Sequence, residues 1–307
     1  MRIVFMGTPE FAVASLDALV KAGFEVVGVI TAPDKPAGRG QKLSESAVKQ
    51  YAVANSLMVL QPEKLKNPEF LAELMALKAD LQVVVAFRML PEVVWAMPPK
   101  GTINLHASLL PNYRGAAPIN WAIINGEKQS GVTTFFLKQD IDTGDVLFSE
   151  SVNIKPDDTA GDLHDELMAV GAGLLVKTVK AIVSGDYKEQ AQDSMTAGAK
   201  LKHAPKIFKE DCLIDFNQPA EQVYNRIRGL SPYPTAYTFL NGKLLKIFKA
   251  ELLPGEPGIS AGSFLTDNKT YLKFACADGF MSVMDIQLEG KKRMGIEEFL
   301  RGYSGFH

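Results

Sequence analysis

Met1-Arg2-Ile3-Val4-Phe5-Met6-Gly7-Thr8-Pro9 opens the chain with a short apolar strand that turns directly into a helix. Pro9 suits the first turn of that helix, and Gly23 follows near its expected end. A second apolar strand comes next at residues 25–31, and a buried strand is expected at residues 81–87. Short apolar strands that alternate with helices are typical of a parallel sheet covered by helices. The first half of the chain therefore predicts an α/β fold with a doubly wound, mostly parallel sheet.

The second half of the chain has a different character. Residues 184–209 are polar and rich in lysine, and beyond them short β-rich segments follow, with an Asn241-Gly242 hairpin turn between two of them. Asparagine followed by glycine is a strong signal for a tight hairpin. We predict a first domain over residues 1–189, a linker over residues 190–205 and a small β-barrel over residues 206–307.

The amino-acid composition and net charge exclude several classes of protein. The 307 residues are 47% hydrophobic and carry a net charge of −2, so nucleic-acid contacts must come from local basic patches. The N-terminus reads as a core strand without a signal-peptide pattern, and the longest uninterrupted apolar run is too short to cross a bilayer. Two cysteines without metal-type spacing fit a reducing compartment. We expect a cytoplasmic protein that needs no metal.

The residues that are the strongest candidates for catalysis lie in the middle of the chain. Asn104-Leu105-His106-Ala107-Ser108-Leu109-Leu110-Pro111 is followed by Tyr113-Arg114-Gly115 and later by Asp140-Ile141-Asp142-Thr143-Gly144. Side chains alternate along a strand, so Asn104 and His106 should share one face. Asp142 comes just after another apolar strand, and α/β proteins collect functional groups outside the carboxyl ends of their strands. The sequence predicts that these three side chains lie together.

This string resembles the signature of the folate-dependent formyltransferases, which move a formyl group from 10-formyltetrahydrofolate to an amine. The similarity extends from the N-terminal strand into the C-terminal region. It implies a Rossmann-like formyltransferase domain, and in the tRNA-acting members an OB-like barrel follows it. It also implies that Asn104, His106 and Asp142 are the catalytic trio.

The chemistry of formyl transfer suits those residue types. Amine attack on the formyl carbon produces a tetrahedral intermediate with a negatively charged oxygen. Asn104 and His106 can donate hydrogen bonds to that oxygen, while Asp142 can orient the imidazole and collect the amine proton. An α-amine is a competent nucleophile once it is unprotonated.

The resemblance also assigns residues to the folate donor. In the family, a turn at the end of the central strand lines the pterin pocket, and the turn after the motif strand also contacts the folate. Those positions correspond here to Phe87, Met89, Leu90, Ser108, Leu109, Leu110, Pro111 and Asp140.

A basic loop indicates the acceptor. Pro33-Asp34-Lys35-Pro36-Ala37-Gly38-Arg39-Gly40-Gln41-Lys42-Leu43 looks like the insertion loop of the tRNA-acting members, and its composition predicts mobility. The resemblance implies that initiator methionyl-tRNA is the acceptor, for translation initiation, and that the enzyme is a monomer without a membrane partner. The predicted tRNA-binding residues are Lys35, Arg39, Lys42, Lys206 and Lys209.

Other classes of function fit less well. A nucleotide-linked oxidoreductase would need Gly-x-Gly-x-x-Gly after the first strand, and Gly7-Thr8-Pro9-Glu10-Phe11-Ala12 lacks the second glycine. A non-catalytic RNA-binding protein would not need the intact trio. An amino-sugar formyltransferase of the same fold remains the alternative, although such enzymes do not show the basic loop.

Overall fold

The structure, a computed structural model, describes residues 1–37, 42–196, 198, 200–303 and 305. The chain divides into two compact units. The first unit comprises Met1–Gly115, Gly131–Val152 and His164–Lys202. The second comprises Ala116–Ser130, Asn153–Leu163 and the described part of His203–His307.

The elements up to residue 202 are, in chain order, β1 (Arg2–Gly7), α1 (Glu10–Lys21), β2 (Glu25–Ile30), β3 (Lys35–Ala37), β4 (Lys42–Ser44), α2 (Ala47–Ala54), β5 (Val59–Leu60), α3 (Pro68–Ala76), β6 (Leu81–Val85), α4 (Glu92–Trp95), β7 (Thr102–His106), β8 (Arg114–Gly115), α5 (Pro118–Ile124), β9 (Gln129–Phe136), β10 (Val146–Asn153), α6 (Ala160–Ser184) and α7 (Gln192–Met195). Those that follow are β11 (His203–Ala204), a 3₁₀ helix (Glu210–Cys212), α8 (Ala220–Gly229), β12 (Ala236–Leu240), β13 (Lys243–Pro254), β14 (Phe264–Thr266), β15 (Leu272–Ala275), β16 (Gly279–Leu288), β17 (Met294–Gly295) and α9 (Ile296–Arg301).

The sheet of the first unit has seven strands in the order β10-β9-β7-β6-β1-β2-β5. Four neighbouring pairs are parallel: β2 with β5, β1 with β2, β1 with β6, and β6 with β7. All five residues of β6 are buried, as expected of a central strand in such a sheet. The pair β7 and β9 is antiparallel. The predicted α/β class with a mostly parallel sheet is confirmed.

The basic loop has a structured base, which its Gly- and Pro-rich composition did not predict. β3 and β4 pair as an antiparallel hairpin. The hairpin is flanked by an ion pair between Asp34 and Lys49, and Lys49 also contacts Glu45 at 2.9 Å. Ser46 caps α2 by accepting a hydrogen bond from the Lys49 amide at 3.0 Å. Interactions with the following helix therefore fix both ends of the loop.

The long helix α6 has enough length and apolar character to cross a membrane, with a mean hydropathy of 1.7 over its most apolar 18 residues. Its leucines, however, lie in the core of the protein. Leu167, Leu174 and Leu175 are at most 1% exposed. In addition, the Thr178 hydroxyl is 2.8 Å from that of Thr134 on β9. Packing against the sheet accounts for the apolar composition of this helix.

The second unit contains an antiparallel sheet in the order β12-β13-β16-β15-β14, with β17 paired to β16. β13 is twelve residues long, and its register with β16 shifts between Ile247 and Ala250. Such irregularities bend a strand and let a small sheet curl. α8 packs against this sheet with Val223 and Ile227 in the core. The curled antiparallel sheet confirms the predicted OB-like fold of the C-terminal region.

Both cysteines are free and buried in the second unit. Burial raises the pKa of the Cys212 thiol, and it raises that of Cys276 to about 11. Because the thiolate is the reactive form, we expect neither cysteine of the native protein to react appreciably with iodoacetamide at pH 8. Mass spectrometry should show two alkylated cysteines only after denaturation. Rapid labelling of the native protein would contradict this packing.

Candidate active site

β7 places two polar side chains on one face of the central sheet. Asn104 is half-buried and His106 is buried, and they are two residues apart on the strand. In the register with the neighbouring strand, Asn104 lies opposite Phe135 and His106 opposite Thr133. A strand alternates its side chains, so the amide and the imidazole project to the same side. The expectation drawn from the sequence for these two residues agrees with the strand geometry.

His106 uses its two ring nitrogens differently. Nε2 lies 2.9 Å from the carbonyl oxygen of Tyr113. A carbonyl can only accept, so Nε2 carries the proton of that hydrogen bond. Nδ1 lies 3.8 Å from Oδ2 of Asp142, and both side chains are about nine-tenths buried. Because 3.8 Å exceeds a hydrogen-bond distance, Nδ1 and the carboxylate do not bond each other directly, and an oxygen placed beside the pair could contact both.

Asp142 reaches His106 by a route that differs from the prediction. β9 runs antiparallel to β7, and its carboxyl end at Phe136 pairs with Ile103 near the start of β7. The carboxyl ends of the two strands therefore lie at opposite edges, and the argument from strand ends was wrong. The loop 137–145 instead folds back towards the end of β7. There, Oδ2 of Asp142 accepts a hydrogen bond from the Gly115 amide at 3.0 Å.

One side chain that the sequence analysis did not single out holds this loop. Gln192 is 2% exposed, although it lies in a polar stretch. Its Nε2 donates to the carbonyl oxygens of Asp142 and Gly144, each at 2.8 Å. Its Oε1 accepts from Nε and Nη2 of Arg114, at 2.9 and 2.7 Å. No local pattern marks Gln192, because its partners are about 50 to 80 residues away.

The turn after β7 is tightly bonded. Ser108 is fully buried, and its hydroxyl donates to the carbonyl oxygen of Asn112 at 2.7 Å. The Thr133 hydroxyl donates to the carbonyl oxygen of Ser108 at 2.7 Å and accepts from the Leu110 amide at 3.2 Å. Leu110 and Pro111 are buried, whereas Leu109 is half-buried. This turn thus has a defined backbone conformation next to His106.

The turn after β6 lines a cavity of about 490 Å³. Arg88 lies over the Phe87 ring at 5.5 Å and donates to the carbonyl oxygen of Glu63 at 2.8 Å. Partial burial lowers the pKa of its guanidinium. Met89 is 73% exposed and Leu90 is buried. The cavity is lined by Lys64, Leu65, Lys66, Arg88, Met89, Leu90 and Pro91. Asp140, another predicted folate-binding residue, does not line this cavity and is exposed on the 137–145 loop.

The predicted tRNA-binding residues occur in both units. Lys35 is exposed on β3, and Lys42 belongs to β4. Arg39 lies outside the described residues. In the second unit, Lys206 is exposed over the Phe208 ring at 5.2 Å, and Lys209 is exposed just before the 3₁₀ helix. Within the described residues, no three histidine, cysteine or acidic side chains are grouped so that they could hold a metal ion.

Comparison with known proteins identifies the family. Residues 1–179 match the family model described as formyl transferase, and residues 206–304 match the model of the formyl transferase C-terminal domain. The chain belongs to the formyl transferase family. The resemblance stated from the motifs is thereby confirmed, as is the assignment to the formyl-transferring enzymes.

The similar curated proteins have a more specific name. The methionyl-tRNA formyltransferase of Bacteroides fragilis is 55% identical over 308 residues, covering 99% of this chain and 95% of its own. That of Parabacteroides distasonis is 56% identical over 310 residues, covering 99% and 96%. Among solved structures, an N-formyltransferase from Helicobacter canadensis in complex with folinic acid and dTDP-3-aminofucose has a TM-score of 0.68 at 23% identity. It covers 95% of this chain and 99% of its own, and the likeness supports the fold.

Proposed function

We propose that this protein is a methionyl-tRNA formyltransferase, which transfers the formyl group of 10-formyltetrahydrofolate to the α-amine of initiator methionyl-tRNA. The proposal rests chiefly on the arrangement of Asn104, His106 and Asp142 in a chain that matches curated relatives of that name over nearly its full length. The products are N-formylmethionyl-tRNA, which starts translation, and tetrahydrofolate.

The reaction begins with attack of the amine nitrogen on the formyl carbon. A new C–N bond forms, and the carbonyl electron pair moves to oxygen as the carbon becomes tetrahedral. The Asn104 amide group, half-buried on β7, donates a hydrogen bond to that oxygen. The Nδ1 side of His106 provides a second donor when it is protonated. Removal of one such donor typically lowers the rate of acyl transfer by about 10²–10³-fold.

The tetrahedral carbon then releases the folate. The attacking nitrogen loses one proton, which Asp142 accepts directly or through a water bound to its Oδ2. The bond from the formyl carbon to N10 of the folate breaks as the oxygen restores its double bond to carbon. N10 receives a proton, so the exchange of one formyl group for one hydrogen is balanced between the amine and the folate.

The folate donor binds beside the turn after β6 and the turn after β7, both of which belong to the first unit. We assign the pterin pocket to Phe87, Met89 and Leu90 in the turn after β6. Met89 and Leu90 line the cavity of about 490 Å³, and the Phe87 ring lies against Arg88, which also lines it. The turn after β7 supplies backbone groups from Ser108 to Pro111, and we assign Asp140, exposed on the 137–145 loop, to the same site. The buried threonine contact under this turn keeps its amide and carbonyl groups in fixed positions.

The acceptor is bound through exposed basic residues. Lys35 and Lys42 belong to the hairpin whose base is held by the Asp34–Lys49 ion pair, and Arg39 stands between them in the sequence. Lys206 and Lys209 provide positive charge in the second unit, where Phe208 adds a half-exposed aromatic face beside Lys206. We further propose that the enzyme acts as a monomer in the cytoplasm, which agrees with two unpaired cysteines.

The proposal is tested by one assay with two acceptors. Purified protein with 10-formyltetrahydrofolate should formylate charged initiator tRNA, and equal amounts of tetrahydrofolate and formylmethionine should appear. A nucleotide-linked amino sugar in place of tRNA should remain unmodified. Formylation of the sugar without formylation of the tRNA would replace the proposed acceptor. Absence of transfer to either acceptor would overturn the proposed reaction.

Arg39 should matter for the tRNA and not for the folate. It stands between Gly38 and Gly40, and its planar guanidinium can bond or stack on exposed bases as well as pair with phosphate. Arg39→Ala is expected to lower kcat/KM for methionyl-tRNA about 10–100-fold, equivalent to about one charged hydrogen bond. Arg39→Lys should recover only part of that loss, because it restores charge without the planar group.

The measurement is kcat/KM for tRNA at two salt concentrations, beside the folate affinity. Lys188→Ala removes one positive charge at an exposed position and is the control. If Arg39→Ala and Lys188→Ala gave the same tRNA kinetics, Arg39 would have no specific part in acceptor binding.

A further inference from the structure

Gln192 uses the whole hydrogen-bonding capacity of its side chain in the first unit. The two hydrogens on Nε2 are donated to the carbonyl oxygens of Asp142 and Gly144, each at 2.8 Å. The two lone pairs of Oε1 accept from Nε and Nη2 of Arg114. The side chain is 2% exposed, whereas its immediate neighbours in the chain are exposed. A buried amide with every donor and acceptor used holds its partners in one geometry.

These hydrogen bonds close a ring around Asp142. The carboxylate accepts from the Gly115 amide at 3.0 Å, and Gly115 directly follows Arg114, whose side chain is bound by Gln192. Gln192 also binds the carbonyl oxygen of Asp142 itself. The side chain of Asp142 is therefore held by Gly115 and its backbone by Gln192, and Arg114 connects these two residues.

The backbone of Asp142 needs such support. Its φ angle is +55°, in the left-handed region that residues other than glycine rarely occupy. Conformations of this kind cost on the order of 1 kcal/mol and persist only where the surroundings impose them. The two carbonyl bonds from Gln192 lie on either side of Thr143 and hold the turn immediately after Asp142.

We propose that Gln192 is a positioning residue for formyl transfer, which sets the Asp142 carboxylate against Nδ1 of His106 without touching the reacting atoms. This inference rests on the proposed function. Misplacement of a catalytic group by about 1 Å can lower a rate about 100-fold, and the distance from Nδ1 to Oδ2 is 3.8 Å. Loss of the ring should therefore lower kcat more than it raises KM.

Two substitutions at Gln192 distinguish its bonds to the carbonyl oxygens of Asp142 and Gly144 from its bonds to Arg114. Gln192→Glu is nearly isosteric and still accepts from Arg114, but it places a carboxylate against two carbonyl oxygens. Gln192→Met removes all four hydrogen bonds. We expect both to lower kcat about 10–100-fold with less than threefold change in the KM for methionyl-tRNA and in folate affinity. Gln190→Glu and Gln190→Met are matched controls, because Gln190 is exposed two residues earlier in the chain. They should retain normal turnover.

A double-mutant cycle with Asp142→Asn distinguishes positioning from general stabilisation. If Gln192 acts through the carboxylate, Gln192→Met should reduce kcat less than threefold once Asp142 is already asparagine. An equal loss in both backgrounds would overturn the inference, and so would normal turnover of Gln192→Glu. The unsubstituted enzyme must first formylate tRNA. Its failure to do so would overturn the proposed function itself and this inference with it.

Discussion

Asp142→Asn is expected to lower kcat for formyl transfer about 10²–10⁴-fold while the protein remains folded. The substitution preserves the shape of the side chain and an oxygen that can accept from the Gly115 amide. It removes the carboxylate that lies 3.8 Å from Nδ1 of His106, which is the group that we propose collects the amine proton. Loss of a general acid–base group has an effect of this size. His106→Ala should lower kcat over the same range.

The chain offers a matched control for this pair. His164 and Asp165 also approach each other, with Nδ1 and Oδ1 2.9 Å apart, but Asp165 is largely exposed. Asp165→Asn makes the same chemical change away from the candidate active site and should leave turnover unaltered. Single-turnover rates with excess enzyme would measure the slow variants, and circular dichroism would confirm folding. Well-folded Asp142→Asn with normal turnover would show that the assigned trio is wrong.

Gly144→Ala should abolish most of the activity through the loop that carries Asp142. An added Cβ would lie 1.5 Å from the carbonyl oxygen of Phe136 and 3.0 Å from the Phe135 ring. A backbone oxygen of a buried strand cannot move aside as a flexible side chain can, so the loop itself must shift. Because the Asp142 carboxylate is two residues away, a displacement of 1 Å or more should lower kcat about 100-fold or more.

Gly173→Ala is the control for this substitution. Gly173 lies within α6, and no atom would be within 4 Å of the added Cβ. Alanine favours a helix over glycine by about 1 kcal/mol, so this variant should be active and slightly more stable. Thermal unfolding and kcat would be measured for both variants. If Gly144→Ala were as active as Gly173→Ala, the loop would tolerate the shift and the position of Asp142 would not limit the rate.

Local patterns predicted the elements whose residues carry their own signal. α2, at Ala47–Ala54, carries such a signal, because the side chain of Ser46 caps its first turn. β6 was recognised from a continuous apolar run, and the shared face of Asn104 and His106 follows from the two-residue period of a strand. α8 was not predicted. Its apolar side rests on few residues, such as Val223 and Ile227, and is clear only from its burial in the core.

The sequence by itself determined the class of fold, the family and the strand that carries two of the three candidate catalytic side chains. Only the tertiary structure decided that β9 runs antiparallel to β7, that the loop 137–145 folds back to His106, and that Gln192 binds this loop. The physical reason is the range of the interactions. Strand periodicity and helix capping act within a few residues, whereas Gln192 is 50 residues from Asp142 and 78 from Arg114. A hydrogen bond over such a separation leaves no periodic trace in the sequence, so it appears only when the chain is folded.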